Sequence, residues 1–83
     1  MTMQFKDKKV ILSGVVSVED AETLLQWLQN HSFARVVFSD CTHVHPANLQ
    51  VLRAAGVSVS AWPQDHALAK WLRSLFPEAE KID

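Results

Sequence analysis

The sequence predicts a small α/β domain, with a mostly parallel sheet and three helices in β-α-β-α-β-α order. Short runs rich in Val, Ile and Leu alternate with longer segments whose apolar residues recur at helical spacing. The connections between them are short and carry Gly, Pro, Ser or Asp, which favour turns and helix ends. This order implies parallel strands joined by right-handed crossovers.

Length and composition indicate one globular domain of 83 residues. Apolar residues make up 48% of the chain and charged residues 20%, as is typical of folded rather than disordered proteins. The net charge is −1, with eight basic and nine acidic residues spread along the sequence. Nucleic-acid binding is therefore not expected, because it requires a concentrated basic surface.

The chain is predicted to act in the cytoplasm, without membrane insertion. It has no run of about 18 or more apolar residues, the length needed to span a bilayer. The apolar stretch near the start is interrupted by Ser13 and Gly14 and has no small-residue cleavage site, so we interpret it as a strand and not as a signal peptide. A single cysteine, Cys41, does not suggest a secreted disulfide scaffold.

The first strand is predicted at Lys9–Val16, where Gly14 helps to end it. Gln4–Lys6 is predicted as a short edge strand before it. Ser17 is a suitable N-cap for the first helix, and Asp20, three residues later, completes a capping box. The apolar stripe of this helix is Val18, Ala21, Leu24, Leu25 and Leu28.

The first helix ends at Asn30 or His31, and the apolar run Arg35–Ser39 follows as the central strand. A continuous apolar run is typical of a strand covered on both faces. His45 caps the second helix, and Pro46 occupies its first position, where a missing N–H has no cost.

Gly56 ends the second helix, Val57–Ala61 forms the third strand, and Asp65 caps the last helix. The stripe of that helix is Leu68, Trp71, Leu72 and Leu75, with Phe76 beside it. Pro77 and a charged tail close the chain. The side chains predicted to be buried are Leu24, Leu28, Val36, Val37, Phe38, Leu52 and Leu72.

The densest run of reactive side chains is DCTHVHPANLQVL, from Asp40 to Leu52. Cys41, His43 and His45 alternate, so an extended segment would point all three to one side, and thiolate and imidazole suit zinc or copper. This keeps a metal- or small-ligand-binding module open as an alternative function. A second ligand pair is missing, however, and structural zinc sites draw on two.

A second interpretation makes Cys41 a nucleophile activated by a nearby His and Asp. Side chains two residues apart on a strand point in parallel and not at each other, and no glycine follows to build an oxyanion hole. We favour a structural role, in which Cys41 is buried, Asp40 and Thr42 bond the turn backbone, and His43 lies partly exposed at the end of the strand. No catalytic residue and no cofactor are predicted.

Three stretches resemble the STAS domain, the fold of bacterial anti-sigma-factor antagonists. VILSGVVSVEDAETLLQWL resembles the first strand and helix, with Gly14 at the family's glycine. RVVFSDCTHVHPANLQVL resembles the second strand and the signature loop, and GVSVSAWPQDHALAKWL the next strand and helix. The likeness covers about residues 9–76 and lies mostly in pattern. It implies a single STAS-like domain over residues 1–83.

The signature loop departs from the family at its functional position. The classical family carries a phosphorylatable Ser or Thr there, but neither Pro46 nor Ala47 has a hydroxyl group. Thr42 is close but lies before the apex of the loop. The resemblance therefore implies a STAS-like module that is not switched by phosphorylation at the usual position.

The resemblance further implies a non-enzymatic interaction module of bacterial signalling or regulation. In the family, a protein partner faces the signature loop and the helix after it. The matching residues, expected on the surface, are His43, Val44, His45, Pro46, Ala47, Asn48, Gln50 and Arg53. We also expect the N-terminus of this helix to offer free N–H groups to an acidic or carbonyl-bearing partner.

The partner implied is a regulatory kinase, a sigma-regulatory protein or a chemotaxis-type component. A competing role is that of a STAS-like accessory subunit of a transporter ATPase. Trp27 lies off the stripe of the first helix, and Trp62 lies on the more polar face of the third strand. Both are candidate exposed anchors for a partner, and the alternative is that each covers an edge of the core.

Overall fold

The predicted fold class is confirmed by a computed structural model, which describes residues 3–31 and 33–76. The described elements are β1 Met3–Lys6, β2 Lys9–Val16, α1 Asp20–Gln29, β3 Arg35–Val44, α2 Pro46–Ala55, β4 Ser58–Ala61 and α3 His66–Leu75. Pro77 and the charged tail lie outside the described residues. No helix in this part of the chain has the length and apolar character to span a membrane.

The four strands form one sheet in the order β1-β2-β3-β4. β1 is antiparallel to β2, whereas β2, β3 and β4 are parallel. The prediction of a central strand flanked by the strands before and after it is confirmed, as is the short N-terminal edge strand. Two successive crossovers of the same hand, from β2 to β3 and from β3 to β4, place α1 and α2 side by side on one face.

That face of the sheet carries the core. The buried side chains of the strands, among them Val10, Val36 and Phe38, form one cluster with buried residues of all three helices. The register pairs Ile11 with Val37. Both side chains are half-buried, and neither packs against the core. Among residues 3–31 and 33–76, no element therefore covers the second face of the sheet, which we call the uncovered face.

This arrangement corrects the expectation that β3 is covered on both faces. Val37, predicted to be buried, points to the uncovered face, whereas the other six predicted core residues are buried. The continuous apolar run could not reveal this, because Val favours strands whether or not a second layer covers them.

β2 has its predicted bounds, Lys9–Val16, but two register shifts make its pairing with β3 irregular. Gly14 has a φ of 65°, which glycine adopts without a steric penalty, and it lies within β2 at a register shift instead of ending the strand. A second shift, between Ile11 and Ser13, is absorbed by β3. β3 consequently continues past Ser39 to Val44, so most of the predicted signature loop is strand.

Helix boundaries follow local signals closely. Asp65 Oδ1 accepts a hydrogen bond from the Leu68 N–H at 3.0 Å, and Gly56 ends α2 with a φ of 68°, both as predicted. At α1 the capping box is only half formed. The Asp20 carboxylate accepts from the Ser17 N–H at 3.0 Å, but α1 begins at Asp20 and has no side-chain cap.

The predicted apolar stripes of α1 and α3 include residues that the core does not bury. Leu24 and Leu28 of α1 are buried, but Leu25 is 42% exposed and Val18 is also exposed. On α3, Trp71 is 41% exposed. The prediction that these three residues face the core is wrong, because a helix lying on a single sheet buries only the side of its stripe nearest the strands.

Candidate partner-binding site

β3 is followed by α2 after a single intervening residue. The His45 N–H donates to the Val16 carbonyl at 2.8 Å, which keeps the chain paired with β2 until the helix starts. Nδ1 of His45 then accepts from the Ala47 N–H at 3.0 Å, and Pro46 has no N–H to satisfy. The predicted cap and the predicted proline position are both confirmed.

This cap changes what the helix N-terminus offers to a partner. The Ala47 N–H is occupied by the His45 ring, and the Asn48 N–H donates to the His45 carbonyl at 2.9 Å. The expectation that the first turn presents free N–H groups is therefore wrong at these positions. The partial positive charge of the helix end is directed largely at the ring of its own capping residue.

Asn48 is the one described polar residue that is fully buried. Its Nδ2 donates to the Ser17 carbonyl at 2.7 Å, which ties the first turn of α2 to the connection between β2 and α1. Its Oδ1 is buried without a hydrogen-bond partner in the described structure. Asn48 was predicted to contact a partner, and its burial excludes direct contact.

The remaining predicted partner residues divide by exposure. Val44 is buried in the core and is not a contact residue. Ala47 is half-buried. The exposed members of the predicted set are His43, His45, Pro46, Gln50 and Arg53. They lie at the end of β3, in the connection to α2 and along α2. Most of the predicted surface is therefore exposed, but a strand end and a helix form it instead of a loop.

Cys41, His43 and His45 do not converge. The register pairs Gly14 with Cys41 and Val15 with His43, so Thr42 is an extra residue on β3. This bulge turns Cys41 into the core while His43 and His45 remain exposed. The expectation that all three point to one side is wrong, and residues 3–31 and 33–76 contain no group of His, Cys, Asp and Glu suited to a metal.

The Cys41 thiol lies in a packing position. It is buried, and its Sγ donates to the His43 carbonyl at 3.4 Å. Burial raises the pKa of the Cys41 thiol, because it removes the thiolate from water. The thiolate needed for nucleophilic chemistry or metal binding is therefore disfavoured at this position.

The two candidate tryptophan anchors cover core edges. Trp27 is half-buried and stacks between Phe5, at a centroid distance of 4.9 Å, and His31, at 4.2 Å. Trp62 is half-buried beside Phe38, and the Arg73 guanidinium lies 5.3 Å from its ring centre. Their contacts match the alternative interpretation, in which each tryptophan shields the core.

A shallow groove between α1 and α2 adds residues that the sequence patterns did not identify. Its volume is about 420 Å³. The lining residues are Ala21, Glu22, Leu25, Ala47, Gln50, Val51 and Ala54. Ala47 and Gln50 belong to the predicted partner set, so the groove extends that surface onto α1. We define these seven residues as the α1–α2 groove.

One signal in the sequence could have identified this groove. The apolar stripe predicted for α1 includes both Leu24 and Leu25, and this stripe is wider than a helix needs to cover one face of a small sheet.

The chain matches no protein-family model, no curated protein and no solved structure at a significant level.

Proposed function

We propose that this chain is a non-enzymatic protein–protein interaction module of bacterial signalling or regulation, of the STAS-like kind, acting in the cytoplasm. The observation that carries the proposal is the α1–α2 groove, where apolar side chains remain exposed after the core has formed. The groove lies between α1 and α2, and it includes Ala47 and Gln50 of α2, the helix that the STAS-like pattern associates with partner contact.

The shape and chemistry of the groove suit a helical segment of a partner. Small side chains at Ala21, Ala47 and Ala54 allow another helix to approach closely. Leu25 provides an exposed aliphatic contact, and Gln50 provides a polar group at the edge. An amphipathic helix that places its apolar face between α1 and α2 would cover this surface, as in other helix-in-groove complexes.

Two features support binding over catalysis. Cys41 faces the core while His43 faces solvent, so this pair is not arranged as a nucleophile and its base. Pro46 and Ala47 carry no hydroxyl group where the classical family is phosphorylated. Phosphorylation at these two positions therefore cannot switch the contact we propose. Its regulation depends instead on the availability of the partner.

The experiment first identifies the partner by affinity capture from the source organism. Calorimetry on the purified pair then measures the affinity of each variant for that partner. Leu25→Asp and Gln50→Glu alter the α1–α2 groove, and Trp71→Asp is the matched control because Trp71 has nearly the same exposure on α3, 41% against 42% for Leu25. We expect the wild type and the control to retain one regulatory kinase, sigma-regulatory protein or chemotaxis-type component. Leu25→Asp should lose it, because a carboxylate would have to be desolvated in the contact.

Circular dichroism and urea unfolding establish that each variant is folded. Capture of a transporter ATPase component would instead assign the chain to the competing STAS-like role. A partner that binds Leu25→Asp and wild type equally, but is lost by Trp71→Asp, would place the interface on α3 and contradict the proposal.

A further inference from the structure

A cluster of cations lies at the end of the sheet where β1 turns into β2 and β3 begins. Lys6, Lys8, Lys9 and Arg35 line one pocket there, and we define these four residues as the basic edge. They come together because Lys6 pairs with Lys9, Lys9 pairs with Arg35, and the Arg35 N–H donates to the Lys8 carbonyl at 2.8 Å. They are four of the eight Lys and Arg residues in the chain.

The positive charge of the basic edge is largely unneutralised. Asp7 is the single acidic residue that lines the same pocket, whose volume is about 390 Å³. Within the described residues, none of the four cations forms an ion pair. Outside the basic edge the chain carries four basic and nine acidic residues, so the basic edge is a local concentration of positive charge in an otherwise acidic sequence. Such a patch attracts and orients acidic partners.

The basic edge continues into the uncovered face of the sheet. Lys9 and Ile11 are two residues apart on β2, and Arg35 and Val37 are two apart on β3, so all four side chains share that face. Ile11 and Val37 pair across the two strands and do not pack against the core. A row of cations therefore borders a row of aliphatic side chains, and no element in the described part of the chain packs over either row.

Phe33 is a further exposed apolar side chain at the end of the sheet where β3 begins. It lies two residues before Arg35, its side chain is 87% exposed, and its φ is 61°. L-residues adopt this left-handed conformation at an energetic cost, and a bulky aromatic is unusual there. Neither the backbone conformation nor burial in the core explains a phenylalanine at this position.

We propose that the basic edge and the adjoining uncovered sheet face bind an acidic segment of a partner protein. Carboxylates of that segment meet the four cations, and an apolar side chain of the segment covers Ile11 and Val37. This surface is on the opposite layer from the α1–α2 groove. The two surfaces could therefore be occupied together, and the module would connect two proteins.

An acidic polypeptide fits this surface better than a nucleic acid. Single strands bind along extended basic grooves that carry aromatic platforms for successive bases. Here the cations are confined to one edge, and the next row along the strands is aliphatic. Further along the same face Ser13 pairs with the acidic Asp40, so the positive surface ends within a few residues and is too short to follow a nucleic-acid backbone.

The test is an NMR titration of the ¹⁵N-labelled full chain at about 0.15 M salt, where weak surface electrostatics are screened. The probe is a synthetic peptide in which glutamates flank two leucines. We expect shift changes confined to the β1–β2 turn, Ile11 and the first residues of β3. Lys9→Glu should weaken binding about tenfold, the effect of losing one close charge pair. Lys70→Glu on α3 changes the net charge equally and should bind as wild type.

The apolar part of the proposal has its own variants. Val37→Thr preserves the shape of the side chain, and Phe33→Gly is compatible with the positive φ, so both should fold and both should weaken peptide binding several-fold. A peptide with serines in place of the leucines should bind correspondingly less. Leu25→Asp should bind the acidic peptide as wild type, which separates this surface from the groove.

Several results would overturn the proposal. Equal losses in Lys9→Glu and Lys70→Glu would indicate unspecific charge attraction. Tighter binding of a single-stranded oligonucleotide, or of phosphatidylserine vesicles, at the same residues would assign the surface to those ligands. Concentration-dependent shifts on this face without peptide would indicate a second copy of the chain as its occupant. Absence of shifts with excess peptide would also reject the proposal.

Discussion

Replacing Asn48 with Asp tests how α2 is held against the rest of the domain. Asn48 is fully buried, and its Nδ2 donates to the Ser17 carbonyl at 2.7 Å. The substitution preserves the shape of the side chain but places a carboxyl oxygen where a donor is required. An ionised carboxylate at this position would be buried beside a carbonyl oxygen, without a counter-charge.

The expected loss of unfolding free energy in Asn48→Asp has an upper bound, because the buried carboxylate can be protonated. The folded variant can avoid the buried charge by binding a proton, and the protonated carboxyl can donate to the Ser17 carbonyl as the amide does. At pH 7 this costs about 4 kcal/mol, from the pH difference to an unperturbed Asp pKa of about 3.9 at about 1.4 kcal/mol per unit. We therefore expect Asn48→Asp to lose about 3–4 kcal/mol of unfolding free energy at pH 7.

The stability loss of Asn48→Asp should depend on pH, and the direction follows from the pKa of the introduced carboxyl. Burial raises the pKa of the introduced carboxyl in the folded state above its unfolded value. The loss relative to wild type is then present above the unfolded pKa, declines by about 1.4 kcal/mol per unit as the pH falls, and disappears near pH 4. The variant should approach wild-type stability on acidification.

The assay is urea unfolding followed by tryptophan fluorescence, with wild type and Asn48→Asp compared at each pH from 7 to 4. Asn48→Leu is the control, because it removes the buried and unpaired Oδ1 together with the hydrogen bond and should change stability by less than about 2 kcal/mol. A loss below about 1 kcal/mol at pH 7, or a loss independent of pH, would refute the assignment of Asn48 as a buried hydrogen-bond donor.

Three further predictions concern stability and reactivity. Leu52→Ala should cost about 2–5 kcal/mol in urea unfolding, because Leu52 is fully buried in the core cluster; a cost below about 1 kcal/mol would contradict this. His45→Ala should cost about 1 kcal/mol through loss of the α2 cap, whereas His45→Asn retains an acceptor and should remain near wild type; equal losses would show that the cap contributes nothing. Cys41 should react with iodoacetamide at pH 7 at least about tenfold more slowly in the folded chain than in urea, because burial raises its pKa and shields it, and equal rates would place the thiol at the surface.

Local signals in the sequence determined where α2 begins and ends and where α3 begins. The caps at His45 and Asp65 and the left-handed stop at Gly56 depend on hydrogen bonds or dihedral angles within a few residues. Such interactions do not require knowledge of distant neighbours, and the structure confirms all three. The element order and the sheet neighbours followed in turn from short connections and crossover handedness.

Side-chain orientation in the strands depended on features that periodicity cannot reveal. Alternation predicts a face for each residue only while the register is regular, and two register shifts interrupt it, one between Ile11 and Ser13 and one between Gly14 and Val15, opposite Thr42. For that reason Cys41 and His43 point in opposite directions, although their spacing places them on one side. A metal-site interpretation from spacing alone could not anticipate this.

Only the tertiary structure decided which residues are buried between the sheet and the helices. Asn48 resembled a surface residue because a polar side chain near a helix start is usually solvated, yet the Ser17 carbonyl, 31 residues away in sequence, provides it with a buried partner. Val37 resembled a core residue, yet both crossovers placed their helices on the other face. The sequence therefore determined which segments fold and in what order. The packing of all helices on one side decided which surfaces remain open, because burial depends on contacts between residues that are distant along the chain.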